Sequence, residues 1–212
     1  TTELPWDRSV GTLKDNSFIE KIGSSIGKHC KRMGIHINFA PVVDINTNPK
    51  NPIIGNRSYG ENKLNVTSKA VSFTKGLQSQ GILACAKHFP GHGDTSKDSH
   101  KTLPTIAFKK KRLLDVELYP YKSLIKQDLG AVMIAHLNVP SLEPNADFPS
   151  SLSKNIVTNL LKERLKFRGL IITDALGMKG VTNYDSENID LMAFKAGNDV
   201  LLMSGDITAG VS

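Results

Sequence analysis

The feature that most limits what this chain can become is a set of five short apolar runs, each closing on or near a polar residue and alternating with helical patterns. The runs are Gly34–Asp44, Gly81–His88, Gly130–Leu137, Gly169–Asp174 and Asn198–Met203. They are rich in Val, Ile, Leu and Ala and show little polar alternation. Strands covered on both faces, as in a parallel sheet, have this composition. The intervening segments repeat apolar residues at three- and four-residue spacing, as Ile19, Ile22, Ile26, Cys30 and Met33 do between Asn16 and Met33. Further helices are predicted over Leu64–Gln80, Lys109–Gln127, Ser153–Lys166 and Ser186–Ala196. Gly34, Gly81 and Gly197 supply stops, and Pro120 is expected to kink or split the third of these helices.

Strand–helix–strand repetition implies a parallel α/β sheet, either open and doubly wound or closed into a barrel. The polar residues favour closure. Asp44, Lys87-His88, His136-Leu-Asn138 and Asp174 end four different strands. A TIM-type (β/α)8 barrel gathers its chemistry on that rim, whereas the crevice of an open sheet draws on fewer strands. Five visible strands in 212 residues fall short of eight. The expectation is a single domain over residues 1–212, an incomplete barrel without the first strands and the last.

Composition excludes several classes. At 39% hydrophobic and 22% charged residues the chain can bury an ordinary core, and it contains no apolar run long enough to span a membrane. The N-terminus lacks the regions of a signal peptide and an initiator Met, so compartment cannot be read from it. The net charge of +7 is spread along the chain, and the run Lys109-Lys110-Lys111-Arg112 reads as a solvated helix start, not a nucleic-acid site. Cys30 and Cys85, inside a helix and a strand, read as two buried free thiols. There is no metal-spaced cluster, and no cofactor is expected.

The densest polar signal is Lys87-His88-Phe89-Pro90-Gly91-His92-Gly93 followed by Asp98-Ser99-His100. Pro90, Gly91 and Gly93 turn a strand into a polar loop, and this strand-to-loop unit carries three of the six histidines. In an extended loop Asp98 and His100 share a side, so the carboxylate can fix one ring nitrogen while the other exchanges a proton near neutral pH. The alternative is a surface loop with incidental histidines. Asp174, at the end of Leu170–Thr173, is either a catalytic carboxylate or a helix cap or lysine partner. Arg57 either clamps a substrate or pairs with Asp44.

Taken in order, Asn38-Phe-Ala-Pro-Val-Val-Asp44, Arg57-Ser-Tyr-Gly60, Lys87-His-Phe-Pro-Gly-His-Gly93, Asp98-Ser-His100 and Ile172-Thr-Asp174 resemble glycoside hydrolase family 3, in particular its beta-N-acetylglucosaminidase branch. The resemblance runs from about Gly34 to Met203. It implies that Asp174 is the nucleophile, His100 the acid/base and Asp98 its orienting partner. It implies that Arg57, Lys87 and His88 hold the hydroxyls of a terminal N-acetylglucosamine, and that Asp44 is structural. The implied partner is a muropeptide or another N-acetylglucosamine-containing glycan; oligomeric state is not legible. The family also carries an earlier Asp-containing strand end with an arginine shortly after it. No such segment is recognisable here, and Arg8 does not match well enough to stand for it.

Hydrolysis is the expected reaction. A phosphorylase is the alternative, because imidazole ends neutral after giving up its proton and does not repel phosphate. An inactive sugar-binding barrel is a third reading.

Overall fold

The structure, a computed structural model, describes residues 4–95, 103–181 and 186–204, with only the backbone described at 186–188. Asp98 and His100 therefore lie outside the described residues.

Among the described residues the chain begins with a short helix α1 (Asp7–Val10) and a long one, α2 (Ser17–Arg32), before strand β1 (Ile37–Asn38). Then come α3 (Lys63–Gln78), β2 (Leu83–Phe89), α4 (Lys110–Asp115), α5 (Tyr119–Ile125) and β3 (Ala131–Ile134). A π-helix (Asn155–Arg164), β4 (Leu170–Thr173) and α6 (Ser186–Ala196) follow. The four strands are parallel and lie side by side in chain order. Sequential parallel strands joined by helical crossovers are the wall of a (β/α) barrel, not a doubly wound sheet, whose strand order reverses.

Two strand expectations are shortened. Residues 34–44 form a regular strand only at Ile37–Asn38, because Pro41 has no N–H to place in the ladder. Its carbonyl still accepts from Lys87 N at 3.1 Å, and Val43 N donates to the Lys87 carbonyl at 2.8 Å, so the segment follows β2 to Asp44. The run Asn198–Met203 is a single parallel bridge, Val200 to Ile172, supported by Leu202 N donating to Thr173 Oγ1. The helix around Pro120 is indeed divided, with Pro120 in the first turn of α5, where its missing N–H costs nothing.

Local chemistry sets the helix ends. Asn62 caps α3 by accepting from Leu64 N and Asn65 N. Ser153 accepts from Ile156 N at the start of the π-helix. α2 and α3 cross at contact distance because glycines face the partner backbone: a Cβ at Gly23 would strike the Phe73 carbonyl, and one at Gly76 the Glu20 carbonyl.

Alternation along the strands sorts the core into two layers. Ala84, Ala86, Val132, Ile134 and Ile171 pack into the main cluster with α2, α3, α5 and the π-helix. Cys85, Ala131, Met133 and Ile172 form a second cluster on the opposite face. Lys87, two residues after Cys85, and Asp174, two after Ile172, continue that second face. Cys30 and Cys85 are buried free thiols, and burial pushes Cys85 up to about 12. Among the described residues no helix is long and apolar enough to cross a membrane.

Candidate active site

The strand ends converge. β1 leads to Asp44, β2 delivers Lys87 and His88, the end of β3 leads to His136, and β4 leads to Asp174. The single-turn helix Gly55–Arg57 brings Arg57 over His88.

Asp44 is the buried hub, 1% exposed. Its Oδ2 lies 2.7 Å from His88 Nδ1 and accepts from His88 N, while Oδ1 accepts from His92 N at 2.7 Å. Burial pushes this carboxyl up, but the attraction and hydrogen bonds of His88 and His92 outweigh it and leave it below the usual carboxylate range. His88 Nε2 faces the Arg57 guanidinium at 3.4 Å. A guanidinium only donates, so the contact places the His88 ring proton on Nδ1, toward Asp44. Arg57 also donates to the Ile53 carbonyl and does not pair with Asp44, so the ion-pair alternative for Arg57 is replaced by a contact through His88.

The loop after β2 is fastened up to Thr95. Thr95 Oγ1 lies 2.7 Å from His92 Nδ1, and Asn51 Nδ2 donates to the His92 carbonyl at 2.8 Å. Asn48 Nδ2 reaches the Thr95 carbonyl, and Thr47 Oγ1 bonds Asp94. Gly91, at φ 128, holds a conformation that side chains avoid, and a Cβ there would press on Glu117 at 2.8 Å. The fastened segment leads directly into residues 96–102, which contain Asp98 and His100.

Lys87 is partly buried. Desolvation and then the Arg57 charge lower its pKa, against the pull of Cys85, Asp174 and Asp44. Asp174 is close enough to act electrostatically on Lys87, Cys85, His92 and His136. Its amide donates to the Ile134 carbonyl at 2.8 Å, and Ala175 N donates to its Oδ1 at 2.9 Å. Of the six predicted site residues, the structure brings together Asp174, Lys87, His88 and Arg57.

Sequence reasoning passed over Asp7. It lines a cavity of about 660 Å³ with Trp6, Phe39, Arg57 and Lys87. Burial pushes its carboxyl up to about 6, against the charges of Arg57 and Lys87. No periodicity or motif marks it; only its distance from Arg57 and Lys87 in the fold does. Its neighbour Arg8 is paired with Glu61 at 2.6 Å. Among the described residues no group of three acidic, histidine or cysteine side chains is arranged to hold a metal ion.

Residues 1–211 match the Glycosyl hydrolase family 3 N terminal domain. Beta-hexosaminidase A of Pseudoalteromonas piscicida is 36% identical over 95% of this chain and 36% of that protein. A solved glycoside hydrolase family 3 beta-N-acetylglucosaminidase from Paenibacillus sp. str. FPU-7 superposes with TM-score 0.94 at 37% identity, over 100% of this chain and 40% of that one. The beta-glucoside phosphorylase BglX superposes with TM-score 0.94 at 28% identity, over 99% of this chain and 39% of that one. This chain thus spans well under half the length of each of these three proteins.

Proposed function

Since the chain belongs to glycoside hydrolase family 3 and has that family's barrel fold, we propose that it carries the active site of a retaining beta-N-acetylglucosaminidase. The observation that carries this reading is the placement of Asp174 on the same sheet face as Lys87, next to the Asp44–His88–Arg57 cluster. A carboxylate facing a cluster of fixed donors suits attack on an anomeric carbon whose hydroxyls those donors hold.

In the proposed reaction His100, steadied by Asp98, protonates the glycosidic oxygen while Asp174 attacks the anomeric carbon through an oxocarbenium-like transition state. The leaving alcohol departs with that proton. Neutral His100 then takes a proton from water, which displaces Asp174 and releases the sugar with retained configuration. Arg57, Lys87 and His88 hold the hydroxyls of the terminal N-acetylglucosamine, and the substrates are peptidoglycan-derived or chitin-type glycans. The match to a beta-hexosaminidase and to a beta-N-acetylglucosaminidase supports this choice of sugar. Attack by phosphate on the same glycosyl-enzyme is the second reading, favoured by the likeness to a beta-glucoside phosphorylase.

The test is release of nitrophenol from 4-nitrophenyl N-acetyl-beta-glucosaminide by the full-length protein, with and without phosphate. We expect turnover without phosphate, loss of at least about 1,000-fold in Asp174→Asn, and slowing in His100→Ala. Full activity in Asp174→Asn would remove the assignment. A sugar phosphate as main product would select the phosphorylase.

A further inference from the structure

The sequence singled out His136 as a polar strand end, and the reaction above gives it no task. Its side chain is 0% exposed. Nε2 lies 3.0 Å from the Ala175 carbonyl, and Nδ1 lies 2.7 Å from Ser151 Oγ. A carbonyl only accepts, so Nε2 carries the proton and bare Nδ1 accepts from the Ser151 hydroxyl. Both ring nitrogens are thus engaged. Burial lowers the imidazole pKa, partly offset by the Ala175 carbonyl and by Asp174, which keeps the ring uncharged at neutral pH.

The far side of this contact is itself anchored. Asn198 Nδ2 donates to the Ser151 carbonyl at 2.8 Å. The neighbouring Ser150 hydroxyl donates to the Ala135 carbonyl at 2.6 Å and accepts from Leu137 N. On the near side, the end of β3 grips both ends of the turn that holds Asp174. The Ile134 carbonyl takes the Asp174 amide, and His136 takes the Ala175 carbonyl. Ala175 N in turn donates to Asp174 Oδ1.

We propose that His136 is a positioning residue: through the Ala175 carbonyl it fixes the turn after β4, and so the place of the Asp174 carboxylate. The proposal rests on the reading of Asp174 as the nucleophile. A displacement of about 1 Å at a reacting group is enough to cost about 100-fold in rate. The Ala175 carbonyl also accepts from Met178 N at 3.0 Å within the turn, so loss of the Nε2–H donor leaves it paired locally but removes the side-chain bond that ties the turn to the segment after β3. Glutamine can present an amide N–H near the position of Nε2; leucine cannot.

The experiment uses the full-length protein and a 5-fluoro N-acetylglucosaminyl fluoride, with the adduct on Asp174 followed by mass spectrometry. Inhibition by free N-acetylglucosamine reports binding, and thermal unfolding reports folding. We expect His136→Leu to label about 100-fold more slowly per folded molecule, with the inhibition constant within about twofold of wild type, and His136→Gln to recover to within about fivefold. Ser151→Ala keeps the imidazole and should slow labelling less, which covers the case in which His136→Leu fails to fold. Equal labelling rates in wild type, His136→Leu and Ser151→Ala would overturn the proposal, as would equal slowing in the leucine and glutamine variants. If the wild type takes no label, the functional reading fails. Crystal structures of wild type and His136→Leu then decide the positioning claim: a shifted Asp174–Ala175 turn supports it and an unmoved one ends it.

Discussion

Asp44 and Asp7 are two carboxylates withdrawn from water beside the same lysine, and they respond in opposite directions. Asp44 is fully enclosed yet held below the usual carboxylate range, because the attraction of His88, its hydrogen bond, and the attraction and hydrogen bond of His92 outweigh burial. Asp7 is less buried and is pushed up to about 6, with Arg57 and Lys87 acting only through their charge. Burial alone therefore does not set the state of a carboxylate; the charges and donors packed against it do. The first carboxylate is part of a rigid frame. The second lines an open cavity, the arrangement expected of a group that waits for a partner.

The contrast can be broken at Asp44 first. Asp44→Asn should destabilise the full-length protein by about 3 kcal/mol, since it leaves buried His88 and His92 donors poorly paired. Urea unfolding measures this. A change below about 1 kcal/mol would mean that the network is not the frame described here.

A smaller effect follows from pH. His92 and His136 have folded pKa values lowered from 6.5, chiefly by burial. Their contribution to stability is complete above 6.5 and is lost as pH falls below it. Asp44 adds a further loss below 3.8. Asp7 runs the other way: its folded pKa is raised from 3.8 to about 6, so its contribution is present below 3.8 and lost as pH rises through about 6. Unfolding free energy should fall by about 1–2 kcal/mol between pH 7.5 and pH 5, and more steeply in Asp7→Asn, where the opposing group is gone. A flat profile in both proteins would contradict the histidine assignments.

Asp7→Asn itself should raise stability at pH 7.5 by about 1 kcal/mol, the shift being discounted for partial exposure, and should do nothing at about pH 2.5, where both states are protonated. Thermal unfolding at the two pH values checks this; an equal gain at both would show that packing, not charge, is responsible. Smallest of all, Glu61→Gln removes the exposed partner of Arg8 beside Asp7 and should change stability by less than about 0.5 kcal/mol in the same assay.

Much of this architecture was legible in the chain. Apolar runs with little alternation marked β2, β3 and β4, and glycine stops and a proline marked the helix ends, because these signals are local and follow from backbone sterics. The run at 34–44 was longer than its regular strand, since Pro41 interrupts the ladder in a way that composition does not show. The run at 198–203 shrank to one bridge. Within the site, residues at strand ends were found because strand periodicity places them: Lys87, His88 and Asp174 were named from the sequence and stand together in the fold. Asp98 and His100 lie outside the described residues.

The sequence by itself determined the parallel α/β class, the strand ends that supply polar groups, and the family. Only the tertiary structure decided who pairs with whom. It gave Asp44 to His88 and His92, turned Arg57 from Asp44 to His88, brought Asp7 against Arg57 and Lys87, and set His136 behind Asp174. The physical reason is range. Periodicity and turn chemistry act over a few residues, whereas a hydrogen bond between residues 44 and 88, or 136 and 175, exists only after the chain between them has packed.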